Sequence, residues 1–340
     1  MRVLITGGAG FLGFHLAHGL PQEKRLLDIT PFAPEEWPDT IETVVADVRD
    51  LSAVQRSMEN CDAVIHAAAG LPLWKPKEIR SVNFEGTRTV LQAAKNVGVP
   101  HVVHISSTAV YGIPDHHPLH ESDKLIGVGP YGESKIQAEQ LCEEARAQGQ
   151  CITILRPKTF LGAERLGVFQ ILYDWIAEGR RIPVLGSGKN RYQLLAVEDL
   201  VEAVSVVLNA PPADANQTFN VGAKEFGTVE EDLTQLFQHA KTESRVFPVP
   251  ALPAKTILAI LDTFHCSPLY KWIYATADQD SFVNVDKLEK LGWTPKHSNA
   301  STLIATWDWY KENKDKLPQA GMGHRVPWNE GALRWIRKWM

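Results

Sequence analysis

The stretch Arg2-Val3-Leu4-Ile5-Thr6-Gly7-Gly8-Ala9-Gly10-Phe11-Leu12-Gly13 decides the reading of this chain. A short apolar run leads straight into a glycine-rich turn, and the turn opens into residues with helical spacing. Gly7 permits a tight turn, Gly10 lets the backbone approach a pyrophosphate, and Gly13 lets helix and strand pack closely. The helix N-terminus, at Phe11 and Leu12, offers free N–H groups and the positive end of its dipole to an anion. Strand, glycine loop and helix in this order predict a dinucleotide site.

Working outward, residues 24–27, 43–45, 63–65, 101–105 and 151–155 read as further short strands. Helical spacing fills the gaps, clearest at Thr87-Val90-Leu91-Ala94 and at Ile136-Leu141-Ala145. Such alternation implies a doubly wound α/β fold, a parallel sheet covered on both faces. After Arg156-Pro157 the rhythm breaks. Residues 168–178 and 201–208 look helical, and 218–221 reads as a strand that rejoins the sheet. From about residue 225 Pro and Trp become frequent, which suggests a smaller lobe capping the sheet. The expected division is 1–157, with 189–224 returning to it, as the nucleotide-binding domain, and 158–188 with 225–340 as the substrate-binding lobe.

Composition bounds the function. Of the 340 residues 44% are apolar and 22% charged, ordinary for a globular protein. A formal net charge of −5 argues against a general nucleic-acid binder, which carries a basic surplus. Cys61, Cys142, Cys151 and Cys266 lack CxxC spacing and read as reduced thiols of a cytoplasmic protein. No signal peptide and no membrane span are expected, since the first apolar run is short and ends at the glycines.

Asp28 closes the second strand, at the roughly 20-residue distance where an acidic side chain meets the adenosine ribose. Its charge would repel a 2′-phosphate, which favours NAD over NADP; Lys24 and Arg25 blur that preference, and a plain loop cap is the alternative. Ser106, Ser107 and Thr108 sit at the carboxyl end of the fifth strand, the edge where doubly wound sheets bind ligands. Pro130-Tyr131-Gly132-Glu133-Ser134-Lys135 then sets Tyr131 and Lys135 four apart, on one face of a helix. A free tyrosine titrates near about 10, too high for efficient acid–base work at neutrality. A nearby ammonium and an oxidised nicotinamide stabilise the phenolate. Ser107 would hold a substrate oxygen while Tyr131 moves its proton and a hydride passes to or from nicotinamide C4.

With these residues in place the chain resembles the extended short-chain dehydrogenase/reductases, also called the NAD-dependent epimerase/dehydratase family, over at least residues 1–225. The resemblance implies a Rossmann fold and a Ser107, Tyr131, Lys135 catalytic trio, Ser107 rather than Ser106 by counting back from Val110-Tyr111-Gly112. It implies that Asp47 and Val48 belong to the adenine-contacting turn, and that Ala67, Ala68, Ala69 and Pro157 line the cofactor. Asn83 is structural on the same ground, and Leu291-Gly292-Trp293-Thr294-Pro295 is typical of the capping lobe. A homodimer built on helices starting near Asn83 and Tyr131 is also implied.

The sequence departs from the nucleotide-sugar pattern at two points. Lys158-Thr159-Phe160 stands where those enzymes carry an Asn, and Arg191 is offset by one residue from their usual Arg. Gly186-Ser187-Gly188-Lys189-Asn190 looks more like the 3β-hydroxysteroid dehydrogenase and dihydroflavonol reductase branch. The leading expectation is an NAD-dependent oxidoreductase acting on a small-molecule secondary alcohol or ketone. The alternatives are a nucleotide-sugar epimerase or dehydratase with tightly held NAD, and a non-catalytic NAD(P)-sensing module. Trp74, Thr108, Thr159 and Arg191 are the candidate substrate contacts. The apolar run 257–261 and the Trp- and basic-rich end 333–340 either pack on the capping lobe or touch a membrane surface. His116, His117 and His120 read as a surface loop, so no metal is expected.

Overall fold

The computed structural model describes residues 1–72, 74–164, 166, 169–263 and 271–316. Cys266, Val168 and the 333–340 segment lie outside the described residues. Seven strands form one parallel sheet: β1 (Arg2–Thr6), β2 (Glu23–Asp28), β3 (Glu42–Val45), β4 (Ala63–His66), β5 (His101–Ile105), β6 (Cys151–Pro157) and β7 (Thr218–Val221). Their order is β7-β6-β5-β4-β1-β2-β3. The order reverses between β1 and β4, where Thr6 pairs with His66, and at such a switch point the carboxyl ends of the strands open a crevice. All seven strands were legible as alternating apolar runs. The rejoining strand 218–221 pairs with β6, Val221 opposite Pro157.

Alternation along β1 shows why the sheet is covered on both faces. Val3 and Ile5 join one core cluster with Leu16, Leu200 and Val204, whereas Leu4 joins another with Val54, Val90 and Cys142. All three β1 residues are fully buried. Helices Phe11–Gly19 and Val197–Asn209 supply the first face, and Leu51–Met58, Thr87–Val97 and Gly129–Ala147 the second. Trp293 belongs to the first core; fully buried, its indole N–H donates to the Asp199 carbonyl at 3.0 Å. Asp199 in turn accepts the backbone N–H groups of Lys296 and His297, tying this late segment to helix Val197–Asn209.

A third apolar cluster stands apart from these two. It gathers Tyr173 and Trp175 of helix Phe169–Ala177, Leu236 and Phe237 of helix Val229–Ala240, and Leu303 and Trp307 of helix Asn299–Asn313. A two-stranded parallel sheet of Ile182–Leu185 with Val246–Val249 joins them. On helix Ala251–Thr263, Leu252, Ile257 and Ile260 are exposed rather than packed. No described helix is long and apolar enough to cross a membrane.

Candidate active site

The glycine loop forms as its sequence requires. Gly7 sits at φ +72°, and a Cβ there would lie 2.7 Å from the Ala68 nitrogen. A Cβ on Gly13 would stand 2.2 Å from the Gly7 carbonyl oxygen, so the first helical turn can pass under the loop only without a side chain. Gly10 caps helix Phe11–Gly19 without a side-chain acceptor, which leaves its first N–H groups turned outward. Asp28, at the end of β2, is 4% exposed and accepts the loop N–H of Ala9 at 3.1 Å and that of Thr30 at 2.9 Å. The cradle and the acidic residue beside it fit the diphosphate and ribose of a dinucleotide.

A cleft of about 340 Å³ opens at this edge of the sheet. Gly7, Gly10, Phe11, Leu12, Gly13, Ala67, Ala68 and Ala69 line one side, and Ser107, Tyr131, Lys135, Pro157 and Thr159 line the other. A larger depression of about 850 Å³ lies against Pro211, Gln217 and Lys287. It sits where the chain enters β7, at the amino ends of the strands, so it is remote from this chemistry.

Tyr131 and Lys135 project from one face of helix Gly129–Ala147 as their spacing predicted. Lys135 is 3% exposed, and its Nζ donates to the Ile105 carbonyl at 2.8 Å. Burial draws its ammonium down to about 8, opposed by the negative charge of Glu139 one turn further on. Ser107 begins the short turn Thr108–Tyr111, and its Oγ accepts the Ala109 N–H at 3.2 Å. Ser106 is occupied elsewhere, its hydroxyl donating to Glu139 Oε1 at 2.5 Å. Asn83, in a π-helical turn, accepts the Gly70 N–H at 2.8 Å and donates to Ser134 Oγ at 2.9 Å. It thereby fixes the loop after β4 to the helix that carries Tyr131.

Sequence reasoning missed the polar frame behind these groups. Glu139 and Arg156 form a buried ion pair at 2.6 Å; Arg156 also donates to the Tyr111 hydroxyl at 2.9 Å, which donates to Asn220 Oδ1 at 2.7 Å. The signal was present in the continued four-residue spacing Tyr131, Lys135, Glu139. Lys158, which lines the cleft, stood in the sequence only as a departure from the nucleotide-sugar pattern.

Other candidates stand outside the cleft walls. Asp47 is held by Arg49, which keeps its carboxyl below the usual range, and Val48 is buried against Gly86. Trp74 is 40% exposed in the loop after β4. Thr108 is buried, and its hydroxyl finds no hydrogen-bond partner among the described residues. Arg191 lies over the adjoining Phe226 and Phe282 rings, its guanidinium 4.6 and 4.7 Å from their centroids. His116 bonds Asp115 and Asp123, while His117 stacks on Phe282 at 4.9 Å. No group of three His, Cys, Asp or Glu among the described residues could hold a metal ion.

Comparison with known proteins agrees with this geometry. Residues 3–222 match the family model described as the NAD dependent epimerase/dehydratase family. The uncharacterized protein y4nG of Sinorhizobium fredii is 34% identical over 337 residues, covering 97% of this chain and 84% of that one. A UDP-glucose 4-epimerase of Azospirillum brasilense is 32% identical over 352 residues, with 94% and 95% covered. Among solved structures, the UDP-glucose 4-epimerase of Thermotoga maritima with UDP-glucose superimposes with a TM-score of 0.76 at 22% identity, over 92% of this chain and 100% of that one. A solved fold at that identity speaks for the architecture alone, whereas the family model covers well over half of the chain. The chain belongs to the NAD-dependent epimerase/dehydratase family of enzymes.

Proposed function

We propose that this enzyme uses NAD to oxidise a secondary alcohol of a nucleotide sugar and returns the hydride within the same cycle, as an epimerase or dehydratase does. The observation that carries this reading is the single cleft in which the glycine cradle meets Ser107, Tyr131 and Lys135. The relatives named above move the balance from a free dehydrogenase toward the epimerase/dehydratase alternative. Asp28 beside the cradle favours NAD over NADP, because a 2′-phosphate there would meet a buried carboxylate.

Each residue has a task that its geometry permits. The N–H groups of the loop and of helix Phe11–Gly19 hold the pyrophosphate, and Asp28 accepts from the ribose hydroxyls. Bound NAD supplies the hydride acceptor and donor. Ser107 donates to the substrate oxygen and holds it beside Tyr131. Tyr131, as the phenolate that the Lys135 ammonium stabilises, takes the proton of the substrate alcohol, and the hydroxyl so formed returns it in the reverse step. Ser106 bonded to Glu139 leaves Ser107 as the hydroxyl for this task. The same reading assigns residues 1–157 and 189–224 to the cofactor and the remainder to the substrate. By family resemblance it makes the protein a cytoplasmic homodimer.

The test is turnover of UDP-sugars with only the NAD the protein carries. Conversion without accumulation of NADH is the expected result. One NADH released per substrate would make the protein a dehydrogenase and sink the epimerase/dehydratase reading.

A further inference from the structure

Lys158 is the charged residue of the cleft that the mechanism leaves without a task. The charged side chains lining the cleft are Lys135 and Lys158, and no carboxylate is among the described lining residues. Lys158 follows Pro157 at the carboxyl end of β6, where its N–H donates to the Val221 carbonyl at 2.8 Å. Its side chain is 3% exposed. The Nζ donates to Ser281 Oγ at 2.7 Å and lies 5.0 Å from the centroid of the Tyr192 ring. Three distant stretches of chain therefore converge to hold one ammonium.

The contrast with Lys135 is in the counter-charge. Lys135 has Glu139 on its own helix. Burial pulls the Lys158 ammonium down to about 7, and no described carboxylate opposes that pull. A charge taken out of water without a partner costs several kcal/mol, and packing alone would be served as well by Met or Leu. An ammonium has three N–H donors, and Ser281 takes one. The remaining donors and the missing negative charge describe a ligand: an oxyanion, which a lysine binds as a point charge.

Resting on the proposed function, we infer that Lys158 is a substrate-binding residue whose ammonium takes an oxyanion of the sugar nucleotide, from its diphosphate or from a carboxylate on its sugar ring. Thr159, beside it in the chain, lines the same cleft.

The test is calorimetric titration of the NAD-loaded protein and its Lys158→Met and Lys158→Gln variants with UDP, UDP-glucose and UDP-glucuronate. At least one ligand should bind the unaltered protein and lose about 30-fold or more in affinity in both variants, with NAD content kept and melting temperature not lowered. A loss shared by UDP assigns the oxyanion to the diphosphate, and a loss confined to UDP-glucuronate assigns it to the carboxylate. Variants that bind all three as tightly as the parent, or a parent that binds none, overturn the inference. Variants that bind like the parent, with NAD present and Tyr131 needed for turnover, leave the proposed function standing, whereas a parent that binds no UDP ligand counts against it as well. A parent that neither carries nor takes up NAD overturns both.

Discussion

Lys135 and Lys158 line one cleft, and the chain builds the walls that hold them by different means. On the Lys135 side the determinants lie in short local patterns. The glycine loop follows its strand within a few residues, and Tyr131, Lys135 and Glu139 share one helix at regular spacing. On the Lys158 side the determinants are remote in sequence: Tyr192 and Ser281 come from connections that have no periodic signature. Chemistry common to a family can be carried by short-range geometry. Substrate choice is carried by irregular segments that only the folded chain brings together.

The largest effect belongs to the first wall. Tyr131→Phe should lower turnover by about 10²–10⁴-fold while NAD stays bound, since only the proton carrier is removed. Near-normal turnover in that variant would dissolve the distinction, because the helix would then hold no chemistry of its own.

Next comes the frame between the walls. Glu139→Gln leaves the guanidinium of Arg156 buried without its counter-charge, and loss of a buried partner costs about 3–5 kcal/mol. Thermal or denaturant unfolding should show that loss. A variant as stable as the parent would mean that the two walls are not joined through this pair.

A further effect appears with pH. His66 and His101, on β4 and β5, are pulled down to about 3 and about 4 by burial. In the unfolded chain each takes its proton near about 6.5, so between these values the unfolded state binds more protons. Stability should therefore fall as the pH drops from about 6.5 toward 4, and melting temperatures over that interval will show it. A flat profile would mean that these histidines are not held neutral in the sheet.

The same contrast explains how far the sequence could be read. Six of the seven strands were visible because their apolar residues are buried, which leaves continuous runs such as Val3-Leu4-Ile5, while the edge strand Glu42–Val45 was visible from its Thr43-Val44-Val45 run although Val45 is 59% exposed. Ser107, Tyr131 and Lys135 were visible because strand ends and helix spacing converge on the same edge. Lys158 was read only as a departure from a pattern. Its meaning depends on the absence of an acidic neighbour, and neighbours 34 and 123 residues away leave no trace in spacing. Asp47 shows the reverse case: the motif marks it, yet its carboxylate is bound to Arg49. Arg191, marked as a substrate contact, lies over a pair of phenylalanines that no local pattern announces.

The most direct test of the central claim is the nucleotide that the protein carries. Purified without added cofactor and then denatured, it should release close to one NAD(H) per chain and little NADP(H). The Gly13→Ala variant, whose Cβ would strike the Gly7 carbonyl, should release none. A protein that neither carries nor takes up either nucleotide would contradict the account at its base.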